Sequence, residues 1–284
     1  MVNILVPTDF SDLSRVAINF AVKVANKLNG SVTLLHVINT VQPARASMWF
    51  KYKSFEKELI DHAKEDFEVL LAEVSKQNKT LKPIKYKIVR GTSFNNTVKT
   101  ASKRLRTGLI VMGARGASGL QRVLMGSNTS SMIDISHVPV LAVPEFGEFK
   151  GFKNIVYVPD IDHLESEMKA LLPYAKFFDS MVHMVHVTSS EKNVKSIEEK
   201  IYKATLGKIL YNKFTVKVIV SRNIDRSIED YVTEMKADLL TTFTRDHNFY
   251  DKLFDRSIAR KMAFQSKVPL LAFKQGIRSS RNQS

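Results

Sequence analysis

The chain is written twice, and this constrains its fold more than any single motif does. The segment Asn3–Asp9 (NILVPTD) returns as Asn154–Asp160 (NIVYVPD). Leu35–Val37 (LHV) returns as Val185–Val187 (VHV), and Val138–Val143 (VPVLAV) as Val268–Phe273 (VPLLAF), all in the same order. Self-similarity of this kind marks repeated structural units. The reading is two copies of one domain, residues 1–146 and 152–284, joined by the polar, glycine-containing stretch Glu145–Lys153.

Each copy alternates apolar runs with amphipathic stretches. In the first, strands are expected near 2–7, 31–38, 84–90, 108–112 and 139–143, and helices near 12–28, 49–77, 94–106 and 127–136. In the second, strands are expected near 154–158, 181–187, 214–220, 238–242 and 269–273. Short, β-branched, nearly continuous apolar strands are those covered on both faces. Their alternation with helices implies an α/β fold, a five-stranded parallel sheet flanked by helices in each copy. Ser11 or Asp12 is placed to cap the first helix and Ser93 the third. Gly30 closes the first helix, where a residue able to take positive φ is wanted.

The segment 113–127 (GARGASGLQRVLMGS) joins the apolar run Leu109–Met112 to a helix. Glycines at a strand-to-helix junction let the backbone approach an anion, and the first N–H groups of the helix favour phosphate oxygens. The loop is neither a Walker A motif, since no Gly-Lys-Ser/Thr closes it, nor a Rossmann fingerprint, since its spacing is Gly-x-x-Gly-x-x-Gly. Taken alone it reads as a phosphate loop or as a structural turn. Ligands of open parallel sheets bind beyond the strand carboxyl ends, where strand order reverses. If the first and fourth strands are neighbours there, Asp9 and the glycine loop share one crevice. Asp9 then accepts from a ribose hydroxyl or an adenine amine, helps to hold a divalent cation, or simply caps the next helix.

Composition excludes several classes. There is no cysteine among the 284 residues, so neither disulfides nor thiolate metal sites can form. The opening Met1–Asp9 lacks a basic region and is not expected to be a signal peptide. No apolar run approaches the roughly 20 residues that span a bilayer, so a soluble cytoplasmic protein without a membrane partner is expected. The net charge of +15 is spread along the chain, with 20 basic against 11 acidic residues in 1–147 and 23 against 17 in 148–284. With no basic strand interleaved with aromatics, this argues against a nucleic-acid partner.

These features together resemble the universal stress protein family, and nearly the whole chain is similar to two copies of that domain. The ATP-binding members carry Gly-x2-Gly-x9-Gly-Ser/Thr, which Gly113, Gly116, Gly126 and Ser127 match without a gap. The opening Pro7–Ser11, Leu35–Val37 and the ending Val138–Leu141 are also typical of the family. The resemblance implies two repeated Rossmann-like domains of the adenine nucleotide alpha hydrolase-like kind, and ATP as the ligand of the first. Pro7, Thr8 and Asp9 would line the nucleoside pocket, the Val37 main chain would meet adenine, and Met112 would pack beside it. Gly113, Arg115 and Gly116 would wrap the phosphates, and Gly126, Ser127 and Asn128 would present the helix-start N–H groups. Magnesium would accompany the triphosphate, held mainly by phosphate oxygens. Family members commonly dimerise through the last strand. A tandem chain is therefore expected to form an internal pseudo-dimer of Val140–Val143 against Leu270–Phe273, with a further homodimer left open.

The second copy departs from the pattern. Aligning Pro139 with Pro269 sets Gly113 against Phe243, Gly116 against Asp246, Gly119 against Phe249 and Gly126 against Arg256, while Ser127 keeps its type as Ser257. Side chains block close backbone approach and Asp246 repels phosphate, so the second domain is not expected to bind ATP in the family's way. For catalysis the sequence offers no Gly-x-Ser-x-Gly elbow and no His-Glu-x-x-His. No group is evident to aim water at a γ-phosphate. His36 and His186 fall at strand positions that read as core packing. A nucleotide sensor or regulatory module is favoured over a slow ATP-hydrolysing or adenylyl-transferring enzyme, or a nucleotide-free scaffold. Whether residues 40–55, around Trp49 and Phe50, form a lid or simply begin the long helix is left open.

Overall fold

The computed structural model describes residues 2–40, 46–79, 81–114, 126–205, 211–244 and 268–274. Two compact units emerge, one of Met1–Ala114 with Ser127–Glu145 and the other containing the chain from Phe146 onward. Arg115 and Gly116 of the glycine loop, and Asp246, Phe249, Arg256 and Ser257 of its counterpart, lie outside the described residues.

In the first unit the order is β1 (Asn3–Pro7), α1 (Asp12–Leu28), β2 (Ser31–Asn39), α2 (Trp49–Gln77), β3 (Lys85–Gly91), α3 (Phe94–Arg104), β4 (Leu109–Ala114), α4 (Ser127–Ile135) and β5 (Val140–Pro144). Its strands are all parallel, in the order β3-β2-β1-β4-β5. The order reverses at β1, which pairs with β2 on one side and β4 on the other. Helices α1 and α2 pack against each other and the sheet, while α3 and α4 pair separately, α3 over β2 and β3 and α4 over β4 and β5. This is a Rossmann-like doubly wound arrangement.

The central strands are apolar because they are covered on both faces. Ile4, Leu5, Val6, Ile110 and Val111 are fully buried, and α1 adds Ala17, Ile18 and Ala21. Each large aliphatic side chain so buried contributes about 1.5–3 kcal/mol relative to exposure. The edge strand β3 departs from the expected double cover, with Lys85, Tyr86 and Lys87 exposed; charged residues on an edge discourage pairing with another chain.

Two local expectations are corrected. The left-handed residue that ends α1 is Asn29, at φ 49° and ψ 36°, not Gly30. Asn tolerates this region, and Gly30 serves instead to let the chain pass close to β1: a Cβ there would sit 2.6 Å from the Val2 carbonyl oxygen. Ser11 caps α1, its hydroxyl accepting from the Ser14 N–H. Ser93 occupies the corresponding place before α3 but makes no side-chain cap.

The second unit comprises β6 (Asn154–Val158), α5 (Leu164–Phe178), β7 (Met181–Thr188), α6 (Val194–Thr205), β8 (Phe214–Val220), α7 (Ile224–Glu234), β9 (Leu239–Thr244) and β10 (Leu270–Lys274). Its parallel strands run β8-β7-β6-β9-β10. The register carries the repeat into three dimensions: Gly113 faces Val143 in the first unit, and Phe243 faces Phe273 in the second. No described helix is long and apolar enough to cross a membrane.

Candidate functional site

The carboxyl ends of β1 and β4 adjoin where strand order reverses, so the crevice expected from the sequence is present in the first unit. Pro7 ends β1 and is buried, and Thr8 follows it, also buried. The Thr8 N–H donates to the Leu35 carbonyl at 2.9 Å, extending the β1–β2 ladder by one bond. Its hydroxyl lies 3.0 Å from that of Ser14 and accepts the Phe10 N–H at 3.0 Å.

Asp9 is exposed at the crest of this turn. Its Oδ1 accepts from the Ser11 N–H at 3.2 Å and the Ser11 hydroxyl at 2.6 Å. Burial draws the Asp9 carboxyl upward, but the Ser11 donors outweigh it and hold the group below the usual aspartate value. Asp9 is therefore a carboxylate at neutral pH. The helix cap is Ser11 rather than Asp9, which buttresses that cap from outside.

At the end of β4, Met112 is buried and Gly113 half-buried. The Thr129 hydroxyl donates to the Gly113 carbonyl at 3.0 Å, tying the first turn of α4 to the end of the strand. Ser127 and Asn128 open α4 and are exposed. Free N–H groups at that terminus favour anions. Val37 lies half-buried on β2, opposite Val89 of β3.

The described glycines of the loop differ in what they require. A Cβ on Gly113 would stand 2.6 Å from Leu13 Cγ and 3.0 Å from the Leu13 carbonyl oxygen, so packing against α1 accounts for this glycine. Among the described residues a Cβ on Gly126 would meet nothing within 4 Å, and Gly126 does not have positive φ. Among the described residues, no packing contact accounts for Gly126.

In the second unit aromatic rings fill the corresponding place. Phe243 stacks on Phe273, with centroids 4.6 Å apart and planes at 9°, and meets Tyr157 edge-on at 5.9 Å. The Tyr157 hydroxyl donates to the buried Glu167 at 2.6 Å, and Glu167 also accepts the Asp160 N–H at 3.1 Å. Burial, then the Glu167 charge, pushes the Tyr157 hydroxyl far above its ordinary range. Asp160 makes the same local bond as Asp9, its Oδ1 accepting the N–H two residues on (Asp162, 3.1 Å), but there it caps a short 3-10 helix, Ile161–His163.

Sequence reasoning missed His36. It is half-buried rather than in the core, and its Nδ1 lies 2.9 Å from the Thr8 carbonyl oxygen. His186 is half-buried too and bonds the Pro159 carbonyl. The recurrence of His36 in LHV and His186 in VHV was the available signal. The open question over residues 40–55 is answered for its described part: Trp49 begins α2, and Met48, Trp49, Phe50 and Phe55 are exposed, Phe50 by 85%.

The comparisons with known proteins agree with this fold. The sequence model of the universal stress protein family matches residues 1–144. Universal stress protein MJ0531 of Methanocaldococcus jannaschii is 33% identical over 146 residues, 49% of this chain and 80% of that protein. Universal stress protein MJ0577 of the same organism is 28% identical over 154 residues, 49% of this chain and 93% of that protein. A solved universal stress protein from Archaeoglobus fulgidus DSM 4304 shares the fold with a TM-score of 0.67 over 96% of this chain and 98% of its own, at 17% identity. The chain belongs to the universal stress protein family.

Proposed function

We propose that the first unit binds ATP and that the chain acts as a nucleotide-dependent sensor or regulatory module in the response to stress. The observation that carries this reading is the meeting of two features at the strand-order reversal. The exposed Asp9 carboxylate stands at the end of β1, and the start of α4 is tied to the end of β4 beside it. A carboxylate suits ribose hydroxyls or the adenine amine, and a helix N-terminus suits phosphate. The glycine spacing shared with ATP-binding family members selects adenine nucleotide among such ligands. Pro7, Thr8, Val37 and Met112 then line the nucleoside, and Gly113, Arg115, Gly116, Gly126, Ser127 and Asn128 surround the phosphates. Magnesium arrives on the phosphate oxygens.

The second unit, with Phe243 and Tyr157 packed where the first has Gly113 and Val6, is read as not binding ATP. Calorimetric titration of the full chain with ATP, ADP, AMP and GTP tests the proposal. One ATP per chain with GTP binding more weakly is expected; two equal sites, or no adenine nucleotide bound, would refute it.

A further inference from the structure

Phe10 is a bulky residue at φ 63°, in the left-handed region that L side chains avoid. It follows Asp9 directly, and the surroundings hold it from several sides. Its N–H donates to the Thr8 hydroxyl at 3.0 Å, and Arg15 Nε donates to its carbonyl at 3.3 Å. Arg15 is itself paired with Glu73. The Phe10 ring lies 4.7 Å from the His36 ring and 4.9 Å, edge-on, from Phe67. Conformations of this kind persist only where neighbours over-determine them, and they gather at functional sites.

His36 acts on both sides of Asp9. A carbonyl oxygen can only accept, so His36 Nδ1 carries the proton and donates to Thr8, the residue before Asp9. The same ring packs on Phe10, the residue after it, with its plane tilted by 36°. The second unit separates these two contacts. His186 keeps the bond to the carbonyl before its aspartate, but there the next residue, Ile161, enters a 3-10 helix and has no left-handed φ. The carbonyl bond therefore belongs to the repeat, and the ring contact with a left-handed residue belongs to the unit with the glycine motif.

We propose that His36, together with Phe10, is a positioning clamp that fixes the turn Thr8–Phe10 and so aims the Asp9 carboxylate at the nucleotide. The ligand part of this rests on the ATP reading above; the clamp itself does not. Burial pulls the Asp9 carboxyl up and hydrogen bonds from Ser11, from Ser14 and from backbone N–H groups pull it down more, so its place on the pH scale depends on those bonds holding. It therefore reports whether the turn is held.

The test uses the full chain and its His36→Leu and His36→Asn variants. Asp9 is titrated by carboxyl NMR, ATP affinity is measured by calorimetry, and folding is checked by circular dichroism. Leucine removes the donor, whereas the asparagine amide replaces Nδ1. In His36→Leu, Asp9 is expected to move up towards an ordinary aspartate and ATP affinity to fall at least tenfold. In His36→Asn, which keeps the donor but loses the ring that packs on Phe10, both are expected to move in the same direction as in His36→Leu but by less. His186→Leu, which removes the same bond in the other unit, is expected to change neither quantity.

An Asp9 titration unchanged in His36→Leu overturns the clamp, and so does an equal loss in His186→Leu. If the wild type itself binds no ATP, the functional reading fails and the Asp9 titration alone decides the clamp. Should His36→Leu not fold, Phe10→Gly keeps the left-handed backbone and removes the ring. An unmoved Asp9 there overturns the proposal equally.

Discussion

Replacing Gly126 by aspartate sets the stability of the fold and the affinity for nucleotide against each other. The position precedes Ser127, the first residue of α4, and a Cβ there meets nothing within 4 Å among the described residues. Aspartate is among the best residues before a helix, and its charge complements the helix dipole, together worth about 0.5–1 kcal/mol at an exposed terminus. The ligand-free variant is therefore expected to melt at the wild-type temperature or slightly above it. A bound polyphosphate would meet the opposite effect. The new carboxylate would occupy the approach to the N–H groups and repel the phosphate. Two unit charges 4 Å apart repel by about 1 kcal/mol in water and about 4 kcal/mol at the effective dielectric near a protein surface. That corresponds to a loss of roughly fivefold to several hundredfold in affinity. Thermal denaturation with and without ATP reads both effects at once. ATP at about one hundred times its wild-type Kd should stabilise the wild type by about 2.7 kcal/mol, and Gly126→Asp by much less. An ATP shift equal to that of wild type would refute the placement of phosphate at α4. A large fall in the ligand-free melting temperature would refute the statement that the fold does not need glycine there.

Gly113→Val behaves differently, because its side chain must displace Leu13 and the α1 backbone. Overpacking of this kind costs about 1–3 kcal/mol, so the ligand-free melting temperature falls by several degrees; an unchanged melt would refute the packing account. Stability should also decline as pH falls below neutrality. Burial depresses His183, and it depresses His186 more than the Pro159 bond and the Asp160 charge raise it. A folded-state pKa below the unfolded value near 6.5 means that the unfolded chain takes up the proton first. The contribution is therefore complete above that value and is lost as pH falls through the folded-state pKa. Melting temperatures recorded from pH 8 to 5 in wild type and in His183→Gln test this, and parallel curves would refute it for His183.

Much of the fold could be read because apolar periodicity and repetition are signals of the whole segment. The run Leu109–Met112 is continuous because β4 lies between β1 and β5 and is covered on both faces. What could not be read was set by contacts distant in sequence. Gly30 looked like a left-handed cap because it follows a helix, yet Asn29 takes that conformation while Gly30 passes beneath the Val2 carbonyl. The residues of β3 looked like those of any other strand, and only the edge position leaves Lys85 and Lys87 exposed. His36 looked like core because alternation places it on a covered strand, whereas its ring reaches past the strand end to Thr8.

The loss of glycine from the second copy suggests that the glycines answer to a ligand rather than to folding, and the structure divides that inference by position. The glycine at 113 answers to packing instead. Leu13 needs the space in the first unit, and Phe243 stands at the matching register in the second because Phe273 and Tyr157 give its ring a place to pack. Exchange of glycine for phenylalanine there accompanies a different core and says little about phosphate. Gly126 differs, because among the described residues no packing contact demands a glycine there. The asymmetry that bears on nucleotide binding is therefore concentrated at the start of α4 and at the turn that holds Asp9. In the second unit Asp160 is drawn into capping a 3-10 helix, with its N–H bound to the buried Glu167. A second unit restored only at Phe243 would still have a 3-10 helix after Asp160, where the first has a left-handed Phe10 packed on a histidine ring after Asp9.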